Sequence, residues 1–216
     1  GQTVEIPEIK TEANFDDNLK ISNPKDKVKV IDKVMYRNLV VGKQYTMKGV
    51  LMDKDTEQAL VVDGLEVTSE LTFVAESVDG YVELEFELPG KALQGKTLVA
   101  FETLEKEDKV IAVHHDIEDE KQTVDIYKPS IGTTANVNGV DKDTDATDDV
   151  TITDRVEYKN LVPGKTYIVR GILMDKVSNQ PVYAGGVTVE SYAEFKATQS
   201  NGYVDLEFNL DASELG

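Results

Sequence analysis

The sequence contains no cysteine and no tryptophan, and only six prolines and two histidines in 216 residues. Without cysteine, disulfides, thiolate nucleophiles and cysteine-ligated zinc are excluded. Basic residues are scarce: 23 Lys and Arg stand against 41 Asp and Glu, for a formal charge of −18 with no basic cluster. Nucleic acid and anionic membrane surfaces are therefore poor partners. No apolar run approaches the ~20 residues of a membrane-spanning helix. The chain does not open on a signal-peptide pattern, so it reads as a mature or excised piece.

What is present are short alternating runs rich in Val, Thr and Tyr, separated by Gly, Asp and Asn turns, the pattern of an all-β sandwich. An internal repeat organises them. Residues 32–43 (DKVMYRNLVVGK) return at 154–165 (DRVEYKNLVPGK), 48–54 (KGVLMDK) at 170–176 (RGILMDK), and 79–86 (DGYVELEF) at 201–208 (NGYVDLEF). Every pair is offset by 122 residues, a period that marks tandem domains rather than a solenoid. The expected domains are 7–127, complete, and 128–216, lacking its final strands. Residues 1–6 (GQTVEI) echo 121–126 (KQTVDI) and read as the last strand of a preceding domain.

Strand periodicity puts several polar residues on apolar faces. Asp32 shares a face with Val28, Val30, Val34 and Tyr36, and Asp154 lies likewise among Val150, Ile152, Val156 and Tyr158. Glu102 ends the apolar run 98–101, His114 falls in register with Val110 and Ala112, and Gln122 with Val124 and Ile126. A buried amide or carboxylate needs a partner or a proton. With Thr11, these residues supply a hydroxyl nucleophile, a base, two acids and a carboxamide, the parts needed for a threonine to attack an amide carbon and expel ammonia. The histidine would take the hydroxyl proton. A carboxyl of the acid pair, kept protonated beside its neighbour, would polarise the glutamine carbonyl. Plainer readings stand beside this one: an ordinary strand threonine, aspartates capping turns, a glutamate ending its strand toward solvent, and a hydrogen-bonded core glutamine. Adjacent His114 and His115 point to opposite faces and cannot readily chelate a metal. The acidic stretch 141–149 (DKDTDATDD) lacks the glycine and closing glutamate of an EF-hand loop and reads as a solvated loop.

Residues 97–102 (TLVAFE) and the spacing within 114–123 (HHDIEDEKQT) resemble the VaFE-type repeat domains of Gram-positive surface proteins, whose members include adhesin stalk domains cross-linked by Thr–Gln ester bonds. Thr11 with Ala13, and Asp32 with Tyr36 and Leu39, fit the same resemblance. It implies tandem immunoglobulin-like sandwiches on an extracellular, cell-wall-anchored stalk. In the first, Thr11 esterifies Gln122 with help from Asp32, Glu102 and His114. No cofactor or metal and no turnover enzyme is implied. The partners it implies are neighbouring repeats, with any host ligand held by a tip domain elsewhere. A ligand-binding sandwich without a covalent link is the alternative.

The second domain keeps Thr133 and Asp154, 122 residues after Thr11 and Asp32, but stops level with Gln94. About 28 residues beyond Gly216 would be needed to supply its acid, histidine and acyl donor. Tyr158, Val169 and Phe208 are expected to be incompletely covered, and an unpaired sheet edge to invite strand exchange with another molecule.

Overall fold

The computed structural model describes residues 4–137, 139 and 142–215. The chain divides into two compact units, Gly1–Lys128 and Pro129–Gly216.

The first unit contains β1 (Glu8–Phe15), β2 (Ile21–Ser22), β3 (Val28–Arg37), β4 (Gln44–Asp53), β5 (Gln58–Ala59), β6 (Val61–Val62), β7 (Leu65–Glu66) and β8 (Thr68–Val74). β9 (Gly80–Leu88), β10 (Thr97–Lys106), β11 (Lys109–His114) and β12 (Thr123–Ile126) complete it, with a 3-10 turn at Glu120–Gln122 before β12. One sheet runs β1-β3-β9, all antiparallel. The other is built on the β4–β10 pair. β10 carries β12 along its first residues and β11 along its later ones, β4 carries β5 and β8, and β2 joins β12 in parallel.

Alternation of side chains closes the two sheets on one core. β3 buries Val28, Val30, Asp32, Val34 and Tyr36 and exposes Lys33, Met35 and Arg37. β9 adds Leu84, Phe86 and Leu88, and the facing sheet adds Met47, Leu51, Leu98, Ala100, Leu104 and Val124. Each such aliphatic or aromatic side chain contributes roughly 1.5–3 kcal/mol by leaving water. The sheets approach closely at Gly49: a Cβ there would lie 2.7 Å from Leu84 Cδ1 and 2.8 Å from Phe86 Cζ. Gly171 meets Phe208 Cζ and Leu206 Cδ1 at 2.8 and 2.9 Å, which explains why both copies of the repeated heptapeptide carry a glycine.

In the second unit β13 (Ser130–Val137), β14 (Val150–Lys159), β15 (Thr166–Ile172), β18 (Glu190–Lys196) and β19 (Gly202–Leu210) each begin 122 residues after β1, β3, β4, β8 and β9. The short β16 (Tyr183–Ala184) and β17 (Val187–Thr188) form a ribbon, and a 3-10 turn spans Ala212–Leu215. The sheet β13-β14-β19 matches β1-β3-β9, and β15 pairs with β18 alone, where β4 pairs with β8, β5 and β10. Counterparts of β10, β11 and β12 are missing among the described residues.

That gap falls only in part where expected. Tyr158 and Phe208 are buried, because Tyr158 packs against the Phe195 ring at 5.2 Å and Phe208 against Gly171. Val169 is only partly buried, as expected, where its counterpart Met47 is fully buried. The open surface is on β13: Ile131 is 65% exposed where Ile9 is 6%, and Thr133 and Ala135 are exposed where Thr11 and Ala13 are buried. At the other end of the chain, residues 4–6 carry no strand, as they have no pairing partner here, and residues 1–3, Gln2 included, lie outside the described residues.

Candidate cross-linking site

Five polar side chains enter the first core from the two sheets. β1 and β3 pair so that Thr11 lies opposite Val34 and Ala13 opposite Asp32, which sets Thr11 and Asp32 diagonally on the inward face. β10 and β11 pair Glu102 with His114. Gln122 ends the 3-10 turn rather than opening a strand, yet its side chain still points inward. Thr11 is 2% exposed, and Asp32, Glu102 and Gln122 are fully buried. Glu102 lies in the middle of β10, not at its end, and Asp32 in the middle of β3. His114 is partly buried and lines a small cavity together with Thr11, Lys10, Glu12, Met35, Asp119 and Lys121. His115 is exposed, stacked on Phe101 and hydrogen-bonded to Thr103.

The register of β11 departs from simple alternation. A bulge between Leu104 and Glu105 pairs Glu105 with Val110 but Leu104 with Ala112. Val110 is thereby turned to solvent, and Ile111 packs with Ala112 against the core. His114 keeps its inward position because the bulge lies before it.

The polar groups are hydrogen-bonded in two pairs, each on one of the two acids. The Thr11 hydroxyl donates to Asp32 Oδ1, and Gln122 Nε2 donates to Glu102 Oε2 at 2.6 Å. Drawn as two carboxylates, the pair leaves Asp32 Oδ2 and Glu102 Oε1 buried and without a donor. A proton held between the two carboxyls satisfies both. Burial first, then the Asp32 charge and the hydrogen bond between the two groups, push the Glu102 carboxyl up to about 11. Burial also raises Asp32, but hydrogen bonds from Glu102 and Thr11 and the nearby His114 and Lys20 charges oppose it. The proton therefore belongs to Glu102, and Asp32 is the acceptor. Gln122 Oε1 is buried without a partner. Glu102 thus holds the amide nitrogen, not the carbonyl oxygen that a polarising acid would hold.

Two participants carried no sequence signal. Asp119 accepts from His114 Nε2 at 2.9 Å through Oδ2 and from the Lys121 amide at 2.8 Å through Oδ1. Burial pushes its carboxyl up, but these bonds and the His114 charge outweigh that and hold it below the usual range. Lys20 donates to Ala13 O and, at 2.6 Å, to Lys121 O. Both sit in charged stretches that read as solvated surface.

In the second unit Thr133 is exposed and Asp154 partly buried, with Oδ1 enclosed and unpartnered, and burial raises its carboxyl. Among the described residues no three His, Asp or Glu side chains gather to hold a metal ion, and Asp141 lies outside them.

A model of the T-Q ester bond containing domain matches residues 7–126 and again residues 129–216. The chain belongs to this family. Two crystal forms of a bacterial adhesin from Mobiluncus mulieris, described as containing intramolecular disulfide, isopeptide and ester bond cross-links, share its fold at 14% identity. One aligns with a TM-score of 0.50 over 93% of this chain and 98% of the adhesin chain, the other with 0.53 over 90% and 100%. No curated protein matches the sequence. Thr11 and Gln122 both lie within the first match and are both buried.

The buried acid makes one stability prediction. The Glu102 carboxyl is neutral when folded, up to about pH 11, and ionised when unfolded above ~4.3. A raised acid binds more protons in the folded state, so stability falls as pH rises from about 4.3 towards 11. In a Thr11→Ala background, which lacks the hydroxyl, thermal melts should show the first unit losing stability across that range. Glu102→Gln should flatten the slope; an unchanged slope would place the proton elsewhere.

Proposed function

We propose that this chain is a stalk segment of a bacterial surface adhesin, extracellular and without turnover activity. Its first unit closes an ester between Thr11 and Gln122. The observation carrying this is that nucleophile and leaving group are both held on one buried acid pair: the Thr11 hydroxyl donates to Asp32 and the Gln122 nitrogen to Glu102. Asp32 takes the hydroxyl proton as Oγ1 bonds to the Gln122 carbonyl carbon. Once the carbon is tetrahedral the nitrogen lone pair is freed, and the Glu102 carboxyl, whose Oε2 lies 2.6 Å away, turns from acceptor to donor and gives the nitrogen its proton as the C–N bond breaks. Ammonia leaves, and the acid pair again holds one proton, now on Asp32. His114, held by Asp119 beside the Thr11 cavity, is a second acceptor for the hydroxyl proton. The product removes a liability as well. A buried amide carbonyl without a donor costs about 1–3 kcal/mol, and an ester carbonyl is the weaker acceptor.

No described helix is long and apolar enough to cross a membrane, and a stalk would reach its envelope anchor, its neighbouring repeats and any host ligand through other segments. Zero cysteines fit such a segment, since this bond needs no oxidant. The site is tested by intact mass, because bonding removes about 17 Da as ammonia. His114→Ala should slow bonding by roughly 10²–10⁴-fold, whereas His115→Ala, exposed against Phe101, should bond as the parent does. The reverse order would remove His114 from the mechanism.

A further inference from the structure

We infer that Lys20 is a positioning residue for ester formation, clamping the strand that carries the nucleophile to the turn that carries the acyl group; this rests on the cross-linking reading above. β1 and the Glu120–Gln122 turn belong to opposite sheets and share no backbone ladder. Lys20 sits where the chain crosses between those sheets, directly before β2. Its main-chain oxygen accepts from the Asp125 amide at 2.8 Å, fixing it to β12. Its ammonium donates to Ala13 O, two residues beyond Thr11, and at 2.6 Å to Lys121 O, next to Gln122. One side chain thus ties together the two segments that the ester will join.

The second unit shows which half of this clamp is built into the repeat. Lys142, 122 residues after Lys20, donates to Ala135 O, the counterpart of Ala13 O. It does so without any equivalent of Lys121. The lysine is therefore set against the nucleophile strand by its own loop, ready to receive the acyl-bearing turn. Because Lys20 is partly buried and faces Glu12, Asp119 and Asp32, its charge also supports the acid that takes the Thr11 proton.

A clamp of this kind matters before the bond forms and little afterwards, when a covalent link holds the same segments. Timed cell-free synthesis of the full chain, sampled by intact mass, reads the rate of the about 17 Da loss. Lys20→Met should slow it by roughly ten- to a hundredfold, the range for losing a charged positioning contact. Lys20→Arg, which restores a donor and a charge, should recover most of the rate. Once bonded, Lys20→Met should melt with the parent, and in a Thr11→Ala background it should lower the melting temperature only slightly. An unchanged rate in Lys20→Met overturns the inference. So does a slowing matched by a large loss of stability in the Thr11→Ala background, which would make the lysine a structural contact only. If Lys20→Met does not fold, Lys20→Gln serves instead, with the same two outcomes. A parent chain that never loses the mass would instead refute the cross-linking reading itself.

Discussion

The folded chain should weigh about 17 Da less than its sequence, one ammonia lost and not two. Among the described residues, only the first unit brings a threonine, an acid pair and a carboxamide together; Thr133 is exposed, with no described acyl group beside it. Thr11→Ala and Gln122→Ala should each restore the full sequence mass with the sandwich intact. Peptide mapping of the parent should recover residues 11 and 122 in one branched fragment. The thermal consequence is also large. The bond closes a loop of about 110 residues, and if chain-closure entropy behaves as for a disulfide it stabilises by on the order of 4–5 kcal/mol. For a domain of this size that is a drop of roughly 15–25 °C in melting temperature on Thr11→Ala. An unshifted mass in folded protein would leave the polar core as ordinary hydrogen bonding and favour the ligand-binding sandwich.

The second large effect should appear on the second unit. Its β13 face exposes Ile131, Thr133 and Ala135, and β15 lacks the partner that β10 gives β4. In the first unit, the segment occupying those positions is residues 97–126. A synthetic peptide of residues 95–128 supplies an acid, a histidine and an acyl donor in the right order. Added to the chain, it should dock on the open face and form an intermolecular ester at Thr133, seen as an adduct of chain plus peptide less one ammonia. Thr133→Ala in the chain, or the Gln122→Ala change in the peptide, should abolish the adduct. Docking without a covalent product, detected by amide-exchange protection of β13, would mean the second copy has lost its chemistry for a reason other than missing strands. Failure to dock would mean that this edge does not accept the segment.

Much of this architecture was legible because the two copies constrain each other. One aspartate among valines is ambiguous; the same residue at the same offset in two strands is a placed group, and Asp32 is indeed at the centre of its sheet. Alternation gave the buried faces of β3 and β9 directly. It misled at β11, where a one-residue bulge breaks the period and sends Val110 outward, a feature with no Gly or Pro to announce it. Gln122 kept its inward direction although a 3-10 turn replaces the strand start, since β12 begins one residue later. Asp119 and Lys20 were invisible for a common reason: in an acidic chain, single charged residues in loops look like solvent-facing ones. Lys20 takes its role from a segment 101 residues away, at Lys121, whereas Asp119 takes its role from the end of β11, where His114 lies five residues before it. Tyr158 and Phe208 were expected to lose cover with the missing strands, but β18 and Gly171 already enclose them.

The place of Gln122 in the order of the chain has a consequence for timing. In the proposed reaction the nucleophile, Thr11, lies in the first strand of the unit and the acyl donor, Gln122, just before its last. A chain delivered N-terminus first, through a ribosome tunnel or a translocation channel, presents Thr11 and Asp32 long before Gln122. Until the final thirty or so residues arrive, neither the proton-sharing acid nor the amide is within reach, and the polypeptide remains linear and threadable. The bond can close only after delivery is complete and the two sheets have met, so each cross-linked unit is a permanent record that its folding finished.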